Sequence, residues 1–243
     1  MSRIFGLFLF VLVACNQKKV AENQKKDSVN DANNIHPIAI KQKNINDMNK
    51  VLTDTITFLE FDDNGDYPLF FAKKGDKRLT FIYNLPGELE FVRDDQLVVK
   101  WKMDSTWIAG EGKKLEMNPW ITTVKKIKDG TVSLYRKKYH KSIKYWHANE
   151  DNYSDNFKDY LYTLVEYYLA NTKNELVLVN LKANTDLVYS IENGNKNGRS
   201  YTMLGLASNA EGHSSIIVWL YLDNETRKFY EYDLASDKLI EFK

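Results

Sequence analysis

A single cysteine, Cys15, is the whole thiol content of this 243-residue chain. No disulfide can close within the chain, even in a compartment that permits one. Zinc sites built from cysteine clusters and paired-thiol redox motifs are excluded by the same count. Histidine is almost as scarce, with four residues and no HExxH spacing among them. Long apolar runs are missing too. The run from Ile4 to Ala14 has eleven residues, about half of the ~20 that a bilayer-spanning helix needs. Nor does one sign of charge dominate: 34 Lys and Arg face 33 Asp and Glu, for a net charge of +1. No overall field attracts nucleic acid. A mean hydropathy of −0.49 with 28% charged residues describes a soluble body rather than a polytopic membrane protein.

Composition divides the chain near residue 50. Residues 16–50 are rich in Asn, Lys, Gln and Asp and hold few large apolar side chains. Such a stretch buries too little surface to offset the entropy of ordering it, so it reads as a tether. If flexible, a stretch of that length spans roughly 30 Å r.m.s.. Its short apolar patch, Ile35 to Ile40, is a candidate to dock on the domain that follows. Residues 51–243 form the expected single globular domain, large enough to bury around 70% of its unfolded surface.

Within that domain the hydrophobic period is close to two. Leu97, Val99, Trp101 and Met103 alternate with Val98, Lys100 and Lys102, the pattern of a half-buried strand. Asp129-Gly130 between Val124–Lys128 and Thr131–Tyr135 predicts a hairpin. Leu85-Pro86-Gly87-Glu88 carries Pro then Gly at the centre of a type II turn, joining Leu79–Tyr83 to Leu89–Val92. Ile216–Leu222, Lys228–Tyr232 and Lys238–Phe242 read as strands near the end. One segment departs from this rhythm. Phe157, Tyr160, Leu161, Leu164, Val165 and Tyr168 fall at helical spacing, with Ser154 or Asp155 to cap the start and Asn171 as a stop. Three similar stretches, Tyr83-Asn84-Leu85, Val179-Asn180-Leu181 and Tyr232-Asp233-Leu234, each follow strand-like residues and raise the possibility of propeller repeats.

The expected fold is therefore α+β and β-dominated, with mostly antiparallel strands and one covering helix near 155–170. Sandwich, open barrel and small propeller all satisfy that pattern.

At the N-terminus, Leu12-Val13-Ala14-Cys15 follows the apolar run and one cation, Arg3. A short h-region ending in a small residue before a lone cysteine resembles the lipobox of bacterial lipoproteins. The resemblance covers about the first fifteen residues. It implies that the Cys15 thiol receives a diacylglyceryl group, that residues 1–14 are removed as a signal peptide, and that residues 15–50 tether the domain to the lipid. Two or more acyl chains, at roughly 0.8 kcal/mol per buried CH₂, make such attachment lasting. It also implies a cell-envelope location. Asn16 stands where the family's inner-membrane retention signal is aspartate. Gln17, Lys18 and Lys19 differ from the acidic residues that mark surface display in some bacteria. An outer-membrane anchor facing the periplasm is expected, and lipidation would leave no free thiol for catalysis.

Four groups are candidates for chemistry. Gly212-His213-Ser214-Ser215-Ile216 begins like a Gly-x-Ser-x-Gly elbow, which needs a strand before and a helix after it. Here the last glycine is missing, the preceding Ser208–Glu211 is loop-like, and a strand follows, so a polar turn is the better reading. His140 and His147, near Glu150, Asp151 and Asp155, share a face only if that segment is helical, and solvated loop histidines are the simpler reading. Asp62, Asn64 and Asp66 start like a calcium loop, but the sixth and twelfth places hold Tyr67 and Lys73 where glycine and glutamate belong. A strand-joining turn fits them.

The fourth group is a basic stretch, Lys113 to Lys144, with ten cations against Glu116 and Asp129. Lys125, Lys126, Arg136, Lys137, Lys138, Lys141 and Lys144, with Tyr139 and Trp146, form the candidate binding patch. It suits an anionic glycan or an acidic protein partner in the envelope. The plainer reading makes the lysines the wet face of a hairpin that discourages edge pairing. No cofactor, metal or nucleic-acid partner is expected. The expected role is a membrane-anchored envelope protein acting by non-catalytic binding. The alternatives are an envelope hydrolase using Ser214 or a metal at His140 and His147, and an immunity or inhibitor lipoprotein directed at a toxin.

Overall fold

Two β bodies are joined through one helix. The computed structural model describes residues 50–108, 114–148, 153–210 and 213–242, all within one compact unit. The first body is a closed five-stranded barrel of β1 (Leu52–Asp62), β2 (Leu69–Lys74), β3 (Lys77–Ile82), β4 (Gln96–Ile108) and β5 (Lys114–Lys128), in the order β1-β2-β3-β5-β4. Closure comes from the antiparallel β1–β4 pairing and a single parallel contact, Ile82 opposite Trp120. This connectivity is that of five-stranded Greek-key barrels of OB type. Alternation in β4 holds at its start, with Leu97 and Val99 fully buried, and fades after the irregularity between Lys100 and Trp101. Leu97 and Val99 close a core of Phe58, Phe70, Phe81, Phe91 and Ile121.

The second body is a six-stranded sheet ordered β11-β10-β9-β8-β7-β6. Its strands are β6 (Lys144–His147), β7 (Asp186–Lys196), β8 (Arg199–Ala210), β9 (His213–Asp223), β10 (Phe229–Asp233) and β11 (Lys238–Glu241). The last five run as an antiparallel meander, while β6 pairs parallel with β7 at the edge. Parallel neighbours need a crossover, and α2 (Asp155–Asn171) with α3 (Glu175–Lys182) supplies it. The fold is thus β-dominated α+β, and a barrel plus an open sheet replaces the sandwich and propeller alternatives.

The helix expected at 155–170 forms as α2. Ser154 caps it, its hydroxyl oxygen accepting from the Phe157 N–H at 3.3 Å. Leu161, Leu164, Val165 and Tyr168 pack on Leu187, Tyr189, Ile191, Leu204, Leu206 and Leu220 of the sheet. The other side of α2 meets the barrel: Arg93 lies 4.1 Å over the Tyr167 ring, and Asn156 reaches Asp63 and Asn64.

Three expectations are corrected. Thr131–Tyr135 is no hairpin strand but part of α1 (Thr131–Lys138). Gly130 is the N-cap of α1, and a carboxylate and the backbone claim its place. Its N–H donates to Asp95 Oδ1 at 2.7 Å, and a Cβ there would lie 2.2 Å from the Asp94 carbonyl carbon. Val132, Tyr135 and Tyr139, at i, i+3 and i+7, are then all buried, which a strand would not achieve. Likewise Val179-Asn180-Leu181 lies in α3, nucleated by Asn174, whose side-chain oxygen accepts from Leu176 N and Val177 N. With α1 and α3 the chain has helices besides the one expected. Finally, Gly87 takes the positive φ of +97° that a type II turn requires, yet Leu89–Val92 forms no strand. The chain instead bends at Arg93-Asp94, where Asp94 N bonds Phe58 O at 2.9 Å.

Candidate functional site

Helix α1 is flanked by two adjoining clefts of about 500 and 310 Å³. The first lies between the Leu89–Val92 segment with Lys126 and the α1 residues Ser133, Arg136 and Lys137, with His140 at its end. The second is lined by Tyr135, Arg136, residues 139–143 and, from α2, Tyr162 and Glu166. Five residues of the basic patch, Lys126, Arg136, Lys137, Tyr139 and Lys141, thus meet at one place.

Buried carboxylates hold two of these cations, Lys126 and Arg136. Arg136 Nε and Nη2 donate to the two oxygens of Glu166 at 2.7 and 2.5 Å. Lys126 donates to Asp95 at 3.0 Å and pairs with Asp129 at 2.9 Å, which also receives Lys137. The exposures are asymmetric: the Arg136 side chain is 46% exposed against 5% for Glu166, and that of Lys126 31% against 0% for Asp95. Solvent therefore meets the cation of each pair and not its counter-charge. Burial alone would raise the Asp95 pKa, but hydrogen bonds from Gly130 and Val92 N–H, with Ser133 and Lys126, outweigh it and hold the carboxyl below its usual range.

Other members of the patch have different roles. Tyr139 is buried, its hydroxyl donating to Thr185 O at 2.9 Å and accepting from Leu187 N at 3.1 Å. It braces the start of β7 and offers a ligand nothing. Lys141 bonds Asn184 O and Asp186 Oδ1, both at 2.6 Å. Lys125 and Lys138 are exposed and form no ion pair among the described residues. Lys144 and Trp146 belong to the edge strand β6 and line neither cleft. Glu166, Asp95 and Ser133 complete the site and escaped sequence reading, because nothing in their local spacing marks them as partners of Lys126 and Arg136.

Ser133 Oγ accepts from Lys126 Nζ at 3.0 Å, the contact of a serine–lysine nucleophile pair. Desolvation pulls the Lys126 pKa down, but hydrogen bonds to Asp129 and Asp95 win and raise it. An ammonium held charged in this way has no lone pair to take the hydroxyl proton, so the pair lacks a base. Ser214 sits exposed near the start of β9, opposite Asn209, with a strand after it where an elbow needs a helix. His147 Nδ1 lies 2.9 Å from Ala148 O, and its ring meets Tyr153 edge-on. Among the described residues no three His, Cys, Asp or Glu side chains are grouped to hold a metal. Asp62 and Asn64 make a local turn, Asn64 N donating to Asp62 Oδ1 at 3.0 Å. Cys15, the residues before it, Lys113, Glu150, Asp151 and Gly212 lie outside the described residues. No described helix is long and apolar enough to cross a membrane.

No protein-family model matches the chain, and no curated protein does. Among solved structures it is similar to a protein from Leishmania major Friedlin described as an aspartyl-tRNA synthetase, at 7% identity and a TM-score of 0.26, covering 70% of this chain and 47% of that one. It is also similar to the aspartyl-tRNA synthetase of Entamoeba histolytica, at 12% identity and a TM-score of 0.25, covering 86% and 58%. The chain spans about half the length of these proteins. Scores this low bear on neither the activity nor the partners of this chain.

Proposed function

We propose that this chain is a lipid-anchored envelope protein that binds an anionic partner, without catalysis, through the clefts beside α1. The anchor rests on the lipobox ending at Cys15. The binding reading rests on one observation: Lys126 and Arg136 present their cations outward while Asp95 and Glu166 hold them from behind. Charge-assisted donors fixed in advance lose little freedom on meeting a carboxylate or sulfate. Lys137 and the exposed Lys138 extend the same surface. An acidic glycan or an acidic protein surface in the periplasm would supply the complementary groups.

Two experiments test the two halves separately. Cys15→Ser should abolish labelling by radioactive palmitate and release the protein from the membrane fraction; unchanged labelling would remove the anchor. For the site, Lys137→Glu with Lys138→Glu should cut capture of envelope partners by crosslinking in intact cells. Arg136 is spared in that variant because Glu166 depends on it. Capture that is indifferent to the double reversal would leave the clefts as solvated surface only.

A further inference from the structure

Among the described residues, the helices pack on one face of the six-stranded sheet and leave its second face to other side chains. Leu187, Tyr189, Leu204, Leu206, Leu220 and Phe229 all enter the core shared with α1, α2 and α3. Alternation sends their neighbours the other way. Register then places Trp146, Trp219, Tyr201, Tyr221, Tyr230 and Tyr232 together on the opposite face.

Tyr201 and Tyr221 are buried, at 6% and 8% exposure, and form the floor on which the outer rings sit. Trp219 comes close to Gly205, where a Cβ would sit 2.6 Å from Ser190 Oγ, 2.8 Å from Trp219 Cζ3 and 2.9 Å from its Cη2. Tyr201 meets Tyr221 edge-on at 5.6 Å, and Tyr221 meets Tyr232 at the same separation. Trp219, Tyr230 and Tyr232 are half-buried, and Trp146 at the edge is 58% exposed. Between the rings lie charges that cancel: Lys196 pairs with Asp237, Arg199 with Asp223 and Lys228 with Glu241. Ser190 donates to Glu192 at 2.8 Å, adding a polar pair beside Trp219.

We infer that this face is a stacking platform for a neutral saccharide chain. Pyranose rings present C–H faces that lie against the negative face of aromatic rings, while their hydroxyls need donors and acceptors at the margin. The paired charges supply both. Charge complementarity selects this occupant. A polyanion would meet three carboxylates already placed among the rings, and a bilayer would want aliphatic side chains and unpaired cations. The inference is independent of the anion-binding reading, because the cleft beside α1 lies on the helix side of the sheet.

The test uses the full-length chain titrated with chitopentaose, cellopentaose and maltopentaose, followed by tryptophan fluorescence and calorimetry. Saturable binding of at least one is expected, insensitive to added salt. Trp146→Ala and Trp219→Phe should each weaken it about tenfold. Circular dichroism checks that both variants stay folded. Lys137→Glu with Lys138→Glu should leave this binding unchanged, which separates it from the cleft. The inference is overturned by no saturable binding of any of the three sugars. Equal binding by the Trp146→Ala, Trp219→Phe double variant overturns it too, as does binding only to vesicles of phosphatidylglycerol.

Discussion

Glu166 on α2 receives both Nε and Nη2 of Arg136 on α1, so one buried carboxylate fixes the orientation of the whole short helix. Bidentate pairs of this kind add geometric definition as well as energy. Because α2 also carries the sheet core, the cations of α1 are tied to the most buried part of the molecule.

Arg136→Ala should therefore destabilise the fold by about 2 kcal/mol, since it strands a buried carboxylate. The figure is set below that for a fully buried pair because the guanidinium is nearly half exposed. Urea denaturation measures it. Loss below about 0.5 kcal/mol would show that Glu166 finds water instead.

Two tyrosines four residues apart should respond in opposite directions. Tyr139→Phe removes a hydroxyl that both donates and accepts, leaving Thr185 O and Leu187 N unmatched, at about 1–3 kcal/mol. Tyr135→Phe removes a buried hydroxyl that has no hydrogen-bond partner among the described residues, so it should be neutral or stabilising. Thermal melts of the two variants decide it, and equal losses would contradict the hydrogen-bond assignment.

Gly130→Ala should cost about 2–3 kcal/mol, because the new methyl meets Asp94 backbone that cannot move alone. Gly75→Ala is the control. Gly75 sits at a positive φ of +59° with open space around it, so only about 1 kcal/mol of backbone cost applies. A reversed ranking would mean that the α1 start is not pinned against the barrel.

Acid should weaken the fold in a predictable window. The Asp54 carboxyl is held low by its hydrogen bond from Lys74. In Asp95 and Asp223 burial pushes the pKa up, but hydrogen bonds outweigh it: Gly130 and Val92 N–H lead at Asp95, and Thr226 N–H and Arg199 at Asp223. A group whose folded pKa is depressed contributes stability that is fully present above the unfolded value, near pH 4. That contribution is lost as pH falls through the folded value. Stability should thus be flat with respect to these groups above about pH 4 and drop below it. Asp95→Asn should lower the plateau and shrink the drop. An unchanged acid slope would remove Asp95 from the account.

Much of the fold was legible in local pattern. Helix α2 was readable because six apolar residues repeat at helical spacing behind a serine cap. Strand β4 was readable because apolar Leu97, Val99, Trp101 and Met103 recur at every second position. Another strong local signal is Asn197-Gly198, which adopts φ of 52° and 76° and joins β7 to β8 in a two-residue turn. Asn-Gly favours that turn wherever it occurs. The failures have a common cause. Thr131–Lys138 and Glu175–Lys182 are eight residues long, too short for period two and period 3.6 to separate. Distant residues settled them, Asp94 and Asp95 for α1 and Glu231 holding Asn174 for α3.

The sequence by itself determined a β-dominated body, one amphipathic helix, the absence of disulfides and a cluster of cations between residues 125 and 144. These are local or compositional properties, written in neighbouring residues. Tertiary structure alone decided that five strands close into a barrel and that β6 lies parallel to β7. It also decided that Lys126 and Arg136 lean on Asp95 and Glu166, about thirty positions away in each case. Hydrogen bonds and ion pairs act over a few ångströms of space whatever the separation along the chain. Only folding can show which charges are cancelled and which are left facing out.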